Sequence, residues 1–246
     1  MGLDDVMVVV SDAPRGSLDD QAKRFALQWE RARIKTEVYD SGTRTLRTTY
    51  ESPKRHVRFV SSSASEEEVK RAMEDAARDA GKGGLVMVNY GHGSGAGAAP
   101  GRRKDSFVDL TPSGDRRIVA RDITDQSGAG FRVTPTPKEA ERVSLLKAVG
   151  AAMRRHQVGV LQFLVCDVGK DEQFAQDVAN TAGTTVGFFR SKFGHAEDSS
   201  GRVTGGNYYR NRSGKLKLVA NTESWTEVKA PDVVVKPDEV ENAVED

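Results

Sequence analysis

The segment that decides the fold reads LVMVNYGHGS at residues 85–94. A second segment of the same design reads VGVLQFLVCDVG at residues 158–169. Each is an apolar run, long enough for a buried strand, that stops at a reactive side chain beside glycine: His92 in the first and Cys166 in the second. In open parallel α/β sheets, ligands bind outside the carboxyl ends of the strands. We therefore expect His92 and Cys166 to meet there, although 74 positions separate them.

Strand and helix patterns alternate along the rest of the chain. Ser65 and Glu68 form a capping-box pattern that opens one of the helices. Apolar stripes predict three others, near residues 25–32, 139–155 and 174–182. Beside the two segments above, strands are predicted at residues 6–10, 35–39, 56–61 and 184–189. This alternation predicts an α/β fold with a mostly parallel sheet and helices on both faces.

Composition limits the domain organisation and the cellular setting. A chain of 246 residues supports one sizeable domain, which we place at residues 1–228, with a small hairpin at residues 208–219. Residues 229–246 carry six acids and form an expected mobile, acidic tail. The net charge of +1 gives no electrostatic case for nucleic acid. No signal peptide and no membrane span are visible, so we expect a cytoplasmic protein or one exported without a cleavable signal.

Residues 94–137 interrupt the alternation with a stretch rich in Gly, Pro, Arg and Asp. Its one weak strand candidate is residues 119–123. A loop of this length inside a compact domain is usually functional or disordered. We expect it to act as a gating loop beside the site, and we expect proteases to cut first at residues 102–104 or 116–117.

His92 and Cys166 together suggest thiol chemistry. A thiol attacks a carbonyl as the thiolate, which a neighbouring His can generate. The main-chain N–H groups of Gly93 and Cys166 are candidate donors to the oxyanion that then develops. A helix starting near residues 170–173 would favour the thiolate if its N-terminus pointed at the sulfur. The alternative is that Cys166 is a small buried apolar residue and His92 is structural.

The two segments, YGHGS at residues 90–94 and LVCDVG at residues 164–169, resemble the signatures of clan CD cysteine peptidases. This caspase-like group includes metacaspases, gingipains, CHAT-domain proteases and the self-cleaving domains of large bacterial toxins. The resemblance covers about residues 84–219, and the toxin domains are closest in the later motifs. It implies a caspase-like sheet, a His92/Cys166 dyad and a Gly93 oxyanion hole. The interval between His92 and Cys166 is longer than usual, and no dense basic patch of the toxin type is present.

Three residues are candidates for the pocket that receives the substrate side chain before the cleaved bond, the P1 residue. Asp12 follows the first strand, where caspase-like folds build this pocket, and would pair with Arg or Lys. Leu164 stands where relatives that cut after basic residues often carry an acid, and would line an apolar pocket. Arg190 would accept an acidic side chain. We expect basic P1 residues first, apolar ones next and acidic ones last.

The sequence-level conclusion is a cysteine endopeptidase that acts on a protein or peptide through a thioester. An activating ligand or partner protein is compatible with this reading. A single Cys excludes an intrachain disulfide and a Cys-based zinc site, so no metal and no cofactor is expected. His56, His156 and His195 receive no role. The alternatives are an inactive caspase-like pseudoprotease and an α/β module that binds a ligand or partner.

Overall fold

The computed structural model describes residues 5–95, 106–124, 137–210, 216–219 and 225–229. The helices in these ranges are α1 (Leu18–Arg31), α2 (Glu66–Ala80), α3 (Ala120–Thr124), α4 (Pro137–Arg155) and α5 (Glu172–Ala182). The strands of the first half are β1 (Asp5–Val10), β2 (Ile34–Asp40), β3 (Thr45–Glu51), β4 (Arg55–Val60), β5 (Leu85–Val88) and β6 (Gly93–Ser94). The remaining strands are β7 (Phe107–Asp109), β8 (Arg117–Val119), β9 (Val160–Phe163), β10 (Val186–Phe189), β11 (Lys192–Glu197), β12 (Val203–Arg210), β13 (Leu216–Val219) and β14 (Trp225–Val228).

Six strands form the central sheet, in the order β14, β10, β9, β5, β1, β4. Neighbouring strands are parallel except at one edge, where β14 runs antiparallel to β10. The predicted α/β fold with a mostly parallel sheet is confirmed, and the arrangement is consistent with a caspase-like sheet. The chain of the first half builds β4, β1 and β5, and the chain of the second half builds β9, β10 and β14.

The two faces of the sheet bury separate apolar clusters, because successive strand side chains point to opposite sides. Val6, Val8 and Val10 of β1 face the larger cluster, which α2, α4 and α5 cover. Met7 and Val9 face the smaller one, which includes Ala26 of α1. The predicted helices on both faces are therefore present, and each buries apolar side chains, although Ala32 of the predicted α1 stripe is exposed beyond the helix end.

Local signals explain where α2 begins and ends. The Ser65 hydroxyl accepts from the Glu68 main-chain N–H, and the Glu68 carboxylate accepts from the Ser65 N–H, so the predicted capping box is complete. Val69 and Met73 lie on the buried stripe. Gly81 ends the helix with a φ of 63°, a left-handed backbone that favours glycine.

Residues 106–124 contain regular secondary structure, so the expectation of a long irregular loop at 94–137 is wrong for this part of the segment. Strands β6, β7 and β8 form a small antiparallel sheet, and α3 follows at once. The weak strand candidate at residues 119–123 is wrong, since β8 ends at Val119 and a helix begins at Ala120. Val108 and Ile118 are fully buried in the larger core, which explains why this segment is structured. Residues 96–105, which contain the predicted cut at 102–104, lie outside the described residues.

The polar stretch between the predicted strands at 35–39 and 56–61 is expected to be a loop, and this expectation is wrong. It contains β3, which pairs with β2 as an antiparallel hairpin. At the other end of the chain, β12 and β13 confirm the predicted terminal hairpin, whose turn lies outside the described residues. The sequence analysis predicted neither β11 nor β14. Residues 230–246, most of the predicted acidic tail, also lie outside the described part.

Helix length and apolarity bear on membrane insertion. None of the helices in the described ranges combines the length and the apolar composition needed to cross a bilayer.

Candidate active site

A cavity of about 330 Å³ opens at the carboxyl ends of the central strands. Its walls come from the start of α1, the segments that follow β5 and β9, and the beginning of β11. Both His92 and Cys166 line it. The other lining residues are Leu18, Asp19, Ala22, Asn89, Tyr90, Gly91, Leu164, Val165, Lys192, Phe193, Gly194 and His195.

The pairing of β5 with β9 explains why His92 and Cys166 share this cavity. The two strands are parallel neighbours, with Val88 opposite Phe163. The Leu164 N–H continues the ladder by donating to the Val88 carbonyl at 2.9 Å. His92 follows Val88 by four positions and Cys166 follows Phe163 by three. Both reactive side chains therefore leave the sheet at the same edge, as the sequence predicts.

Asp109 fixes the backbone of the His92 loop from both sides. Its carboxylate accepts from the His92 N–H at 2.8 Å, and its own N–H donates to the His92 carbonyl at 2.8 Å. The Asp109 side chain is 1% exposed and also accepts from the Arg117 guanidinium at 2.7 Å. Gly91 has a φ of 73°, and a Cβ there would lie 2.8 Å from the Asp109 Cβ. The turn before His92 thus needs both Gly91 and Asp109. The sequence did not single out Asp109, because it lies in the segment assigned to a loop.

Gly93 is where the His92 loop touches the Cys166 loop. A Cβ at Gly93 would lie 2.6 Å from Cγ2 of Val165 and 2.7 Å from Cγ2 of Val168, closer than packed carbon atoms approach. Gly93 is buried behind the wall and does not line the cavity itself. Close packing of the two loops therefore accounts for the glycine, and its predicted oxyanion role stays a prediction.

Cys166 is partly buried, and its Sγ donates to the Phe193 carbonyl at 3.2 Å. Burial raises the pKa of the Cys166 thiol, and the nearby Asp167 carboxylate adds to this effect. The charges of Lys192 and Lys170 oppose it. The resting form at neutral pH is therefore the thiol, and an active Cys166 needs a base.

The helix that follows Cys166 begins within the predicted residues 170–173, although a 3₁₀ turn separates it from the strand. A 3₁₀ turn at Val168–Lys170 comes first, and α5 begins only at Glu172. The Asp171 side chain caps α5 by accepting from the Phe174 N–H at 3.0 Å. An aspartate occupies this helix terminus, and the stabilisation of a Cys166 thiolate by the helix dipole stays a prediction.

Asp19 is a cavity residue that the sequence analysis missed. It lies in the first turn of α1, whose N-cap Ser17 accepts from the Asp20 N–H. Burial raises the pKa of Asp19, and the charge of His92 acts in the opposite direction, which places the carboxylate within electrostatic reach of the imidazole. In the sequence, an acid at this position is indistinguishable from the acids that complement any helix N-terminus.

His195, to which the sequence gave no role, belongs to the cavity wall. Its ring lies between the rings of Phe25 and Phe193, with centroid separations of 5.3 Å. Its Nε2 is 3.4 Å from Nδ2 of Asn89. Burial lowers the pKa of His195 to about 4, so the ring is neutral at physiological pH. His156, in contrast, lies away from the cavity and contacts Glu74 at 2.7 Å.

Of the three substrate-pocket candidates, only Leu164 lines the cavity. The Asp12 carboxylate accepts from the Ser62 N–H at 2.7 Å and from the hydroxyls of Ser61 and Ser62. These bonds, that of the Ser62 N–H first, lower the pKa of Asp12 and hold it in a turn. Arg190 is exposed and pairs with Glu172 at 2.8 Å.

Across the residues that the structure describes, no group of three or more His, Cys, Asp or Glu side chains is placed to hold a metal ion. Comparison of the chain with protein-family models, curated proteins and solved structures finds no significant match in any of the three. The two strand-end motifs and the geometry around them are therefore the basis for any functional assignment.

Proposed function

We propose that this chain is a cysteine endopeptidase of the caspase-like type, with Cys166 as nucleophile and His92 as general base. The observation that supports this most is that both residues line one cavity at the ends of adjacent parallel strands. The substrate is a protein or peptide, and the chemistry requires no metal or cofactor. An activating ligand or partner protein remains part of the proposal.

The state of the Cys166 thiol sets the first step. Because its pKa is raised, almost no thiolate exists at neutral pH before substrate binds. His92 therefore removes the Sγ proton as the sulfur attacks the peptide carbonyl carbon. Lys192 lies in the cavity wall and favours the thiolate that forms. Attack also requires the thiol to leave the carbonyl of Phe193, to which it donates in the free protein.

The following steps use the same groups. The carbonyl oxygen becomes an oxyanion, for which the main-chain N–H groups of Gly93 and Cys166 are the proposed donors. The C–N bond then breaks, His92 returns its proton to the leaving amine, and the acyl group remains on Cys166 as a thioester. Water, deprotonated by His92, attacks this thioester and releases the acid and the free thiol.

Asp19 is the proposed positioning residue for His92. The imidazole becomes positively charged in both proton transfers, and a half-buried carboxylate in the same cavity stabilises that charge. Asp19 touches neither substrate nor the reacting atoms in this proposal. It acts by orienting His92 and by stabilising the protonated form of its imidazole, as a third group orients the base in many hydrolases.

Substrate preference follows from the cavity wall. Leu164, Ala22 and Phe193 give it an apolar surface, and the neutral ring of His195 adds no charge at physiological pH. The two charged wall residues, Asp19 and Lys192, are assigned to His92 and Cys166 in this mechanism. The preference for basic P1 residues depended on Asp12, which is held in a turn outside the lining. Burying an unpaired charge is costly. We therefore propose an apolar P1 residue first, with basic and acidic ones after it.

The decisive experiment measures cleavage of a peptide library by the purified protein and by Cys166→Ala and His92→Ala. Each variant should lose at least about 1,000-fold in kcat/KM with the fold intact, because each removes a group that acts in the transition state. The double variant should lose hardly more than either single one, since the two residues act as a unit. His156→Ala, which removes a histidine outside the cavity, is the control. Full activity in Cys166→Ala would sink the mechanism.

The hydrogen bond from Cys166 to Phe193 and the raised pKa of the thiol also favour a second candidate, an inactive cavity that binds a ligand or partner. Alkylation by a peptidyl electrophile separates the two. A catalytic Cys166 should react faster than a free cysteine and should slow in His92→Ala. A structural Cys166 should react more slowly than a free cysteine and be indifferent to His92.

A further inference from the structure

Asn89 is a buried polar residue of the cavity wall that the proposed mechanism does not use. It is 3% exposed and directly follows β5. Its main-chain N–H donates to the Val8 carbonyl at 2.9 Å, which continues the pairing of β5 with β1 and fixes the residue in place. A buried amide side chain needs partners for its two N–H groups and for its oxygen. The positions of these partners indicate what the cavity binds.

The amide nitrogen of Asn89 has two acceptors within the protein. Its Nδ2 donates to Sδ of Met7 at 3.4 Å, and a thioether sulfur can only accept. Nδ2 also lies 3.4 Å from Nε2 of His195. Because the His195 ring is neutral at physiological pH and the amide nitrogen only donates, Nε2 is the acceptor of this contact. The two contacts orient the amide and leave its oxygen to be accounted for.

The amide oxygen of Asn89 receives no hydrogen bond from the residues that the structure describes. It is also not one of the fully enclosed side-chain atoms without a partner in this part of the chain, so it is accessible from the cavity that Asn89 lines. A ligand that brings a donor to this oxygen gains a hydrogen bond. A ligand that covers it with carbon leaves a buried acceptor unpaired, which is costly.

Asn89 and Leu164 lie side by side at the inner end of the cavity, which we call its floor. The bond from the Leu164 N–H to the Val88 carbonyl continues the ladder between β5 and β9 and sets Asn89 opposite Leu164. Both are buried, whereas His92 is exposed and Cys166 is partly buried. Leu164 precedes Cys166 by two positions, so the two backbones are at most about 7 Å apart. A side chain that enters beside Cys166 reaches the floor only if it is long.

The other walls favour an aromatic side chain. Ala22 and the rings of Phe193 and His195 line the cavity, and the two rings are 5.3 Å apart in an edge-to-face arrangement. A volume of about 330 Å³ holds one large side chain, whose ring can pack in the same way. Phenylalanine would leave the floor acceptor unpaired, and glutamine would bring an oxygen that needs a donor of its own. Tyrosine supplies one donor at the tip of an apolar ring.

We propose that the cavity is the pocket for a tyrosine side chain at P1, with the amide oxygen of Asn89 accepting from the tyrosine hydroxyl. This inference rests on the proposed peptidase function and narrows its apolar P1 preference to one residue type. Asn89 determines specificity here, since it contacts the substrate side chain and not the bond that is cleaved. A site that pairs a substrate hydroxyl discriminates against the analogue without it, because the site's own buried group is then unpaired.

Cleavage of three matched peptides by the purified full chain tests the pocket. The peptides differ only at P1, which is tyrosine, phenylalanine or O-methyltyrosine, a residue that keeps the oxygen and lacks the donor. The tyrosine peptide should exceed the other two in kcat/KM by about 10-fold or more, because it alone donates to the floor acceptor. Equal rates for tyrosine and phenylalanine would overturn the proposal, as would faster cleavage after Arg, Lys or Leu.

Asn89→Leu removes the acceptor and nearly keeps the size of the side chain. It should lower the rate for the tyrosine peptide to that for the phenylalanine peptide and leave the latter rate largely unchanged. Gln162→Leu, which replaces a buried amide outside the cavity lining, is the matched control and should keep the preference. A preference that survives in Asn89→Leu, or an equal fall for both peptides, would show that Asn89 does not bind the hydroxyl. If circular dichroism shows Asn89→Leu unfolded, the three peptides decide alone.

Binding without cleavage separates this inference from the peptidase mechanism. Calorimetry measures the affinity of Cys166→Ala for the tyrosine and phenylalanine peptides. Tighter binding of the tyrosine peptide, lost when Asn89→Leu is added, would support the pocket even if the wild type cleaves neither peptide, and only the proposed function would then fail. Equal affinity for the two peptides, or no binding of either at millimolar concentration, would overturn the pocket whether or not the wild type is a peptidase.

Discussion

His195 illustrates how a residue without a recognisable motif acquires a distinct chemical state. It is one of four histidines in the chain, and nothing near it in sequence marks it. In the fold it lies between two phenylalanine rings and beside Asn89. The low dielectric of this wall disfavours the imidazolium, so burial lowers the pKa of His195 to about 4.

This state predicts a dependence of stability on pH. The unfolded chain takes up the His195 proton below a pKa of about 6.5, whereas the folded chain does so only near pH 4. The stability that depends on a neutral His195 is fully present above pH ~6.5. As the pH falls toward ~4, the free energy of unfolding decreases by about 3 kcal/mol for this reason. Urea unfolding of wild type and His195→Phe at pH ~7 and ~4 measures it. Between these two pH values, the free energy of unfolding of His195→Phe should fall by about 3 kcal/mol less than that of the wild type. His56→Phe, a change at an exposed position, should behave as wild type. Equal acid sensitivity of all three proteins would contradict the prediction.

Asp19 gives a second prediction at the residue scale. Asp19→Asn keeps the shape of the side chain and removes its charge from the cavity, so kcat for peptide cleavage should fall about 10-fold or more with little change in KM. The pH–rate profile should shift as well, because the charge acts on the general base. The control is Asp20→Asn, which removes the same charge one position away at a residue that does not line the cavity. A change in KM alone would assign Asp19 to substrate binding instead.

At the scale of elements, the segment 106–124 ties the two halves of the candidate site together. Asp109 holds the His92 loop, and the Ser106 hydroxyl donates to Asp171, the cap of α5, at 2.7 Å. The sequence could not show this, because strands of two or three residues are too short to reveal a period of two. Buried partners such as Val108 and Ile118 are what stabilise such short strands, and they are distant in sequence.

The contacts of the segment 106–124 predict a proteolysis pattern that differs from the one expected for a loop. Arg117 is bound to buried Asp109 and stacks on Phe107, with its guanidinium carbon 3.9 Å from the ring centroid. Trypsin should therefore spare residues 116–117 in the wild type. Asp109→Asn removes the charge that holds Arg117, so cleavage there should accelerate together with a loss of peptidase activity. Mass spectrometry of timed digests measures cleavage after Arg116 and after Arg117. Asp115→Asn is the control on the same segment. First cleavage after Arg117 in the wild type would contradict the interpretation.

For the whole molecule, the alternation of strand and helix patterns predicted the central sheet and its large helices. Six of the described strands were not predicted: β3, β6, β7, β8, β11 and β14. Strands β6 and β7 are short, and β3 is polar because it is fully exposed. Strand β14 follows the terminal hairpin and returns to the sheet edge, a pairing with β10 that no local pattern encodes. The shared cavity of His92 and Cys166 was predictable because it depends on strand ends, whereas the places of Asp19, Asp109 and His195 depend on tertiary contacts.

The order of strands in the sheet has a consequence for how the candidate site is made during synthesis. The pairing of β5 with β9 joins an earlier-translated part of this sequence to a later-translated part, and His92 and Cys166 lie on opposite sides of it. At ribosomal rates of roughly 5–20 residues per second, Cys166 is added about 4–15 s after His92. If the proposed mechanism holds, a nascent chain that carries His92 has no nucleophile, and a product truncated before β9 cannot cleave peptides by this route. Under that proposal, cleavage begins only after the second half of the sheet has joined the first.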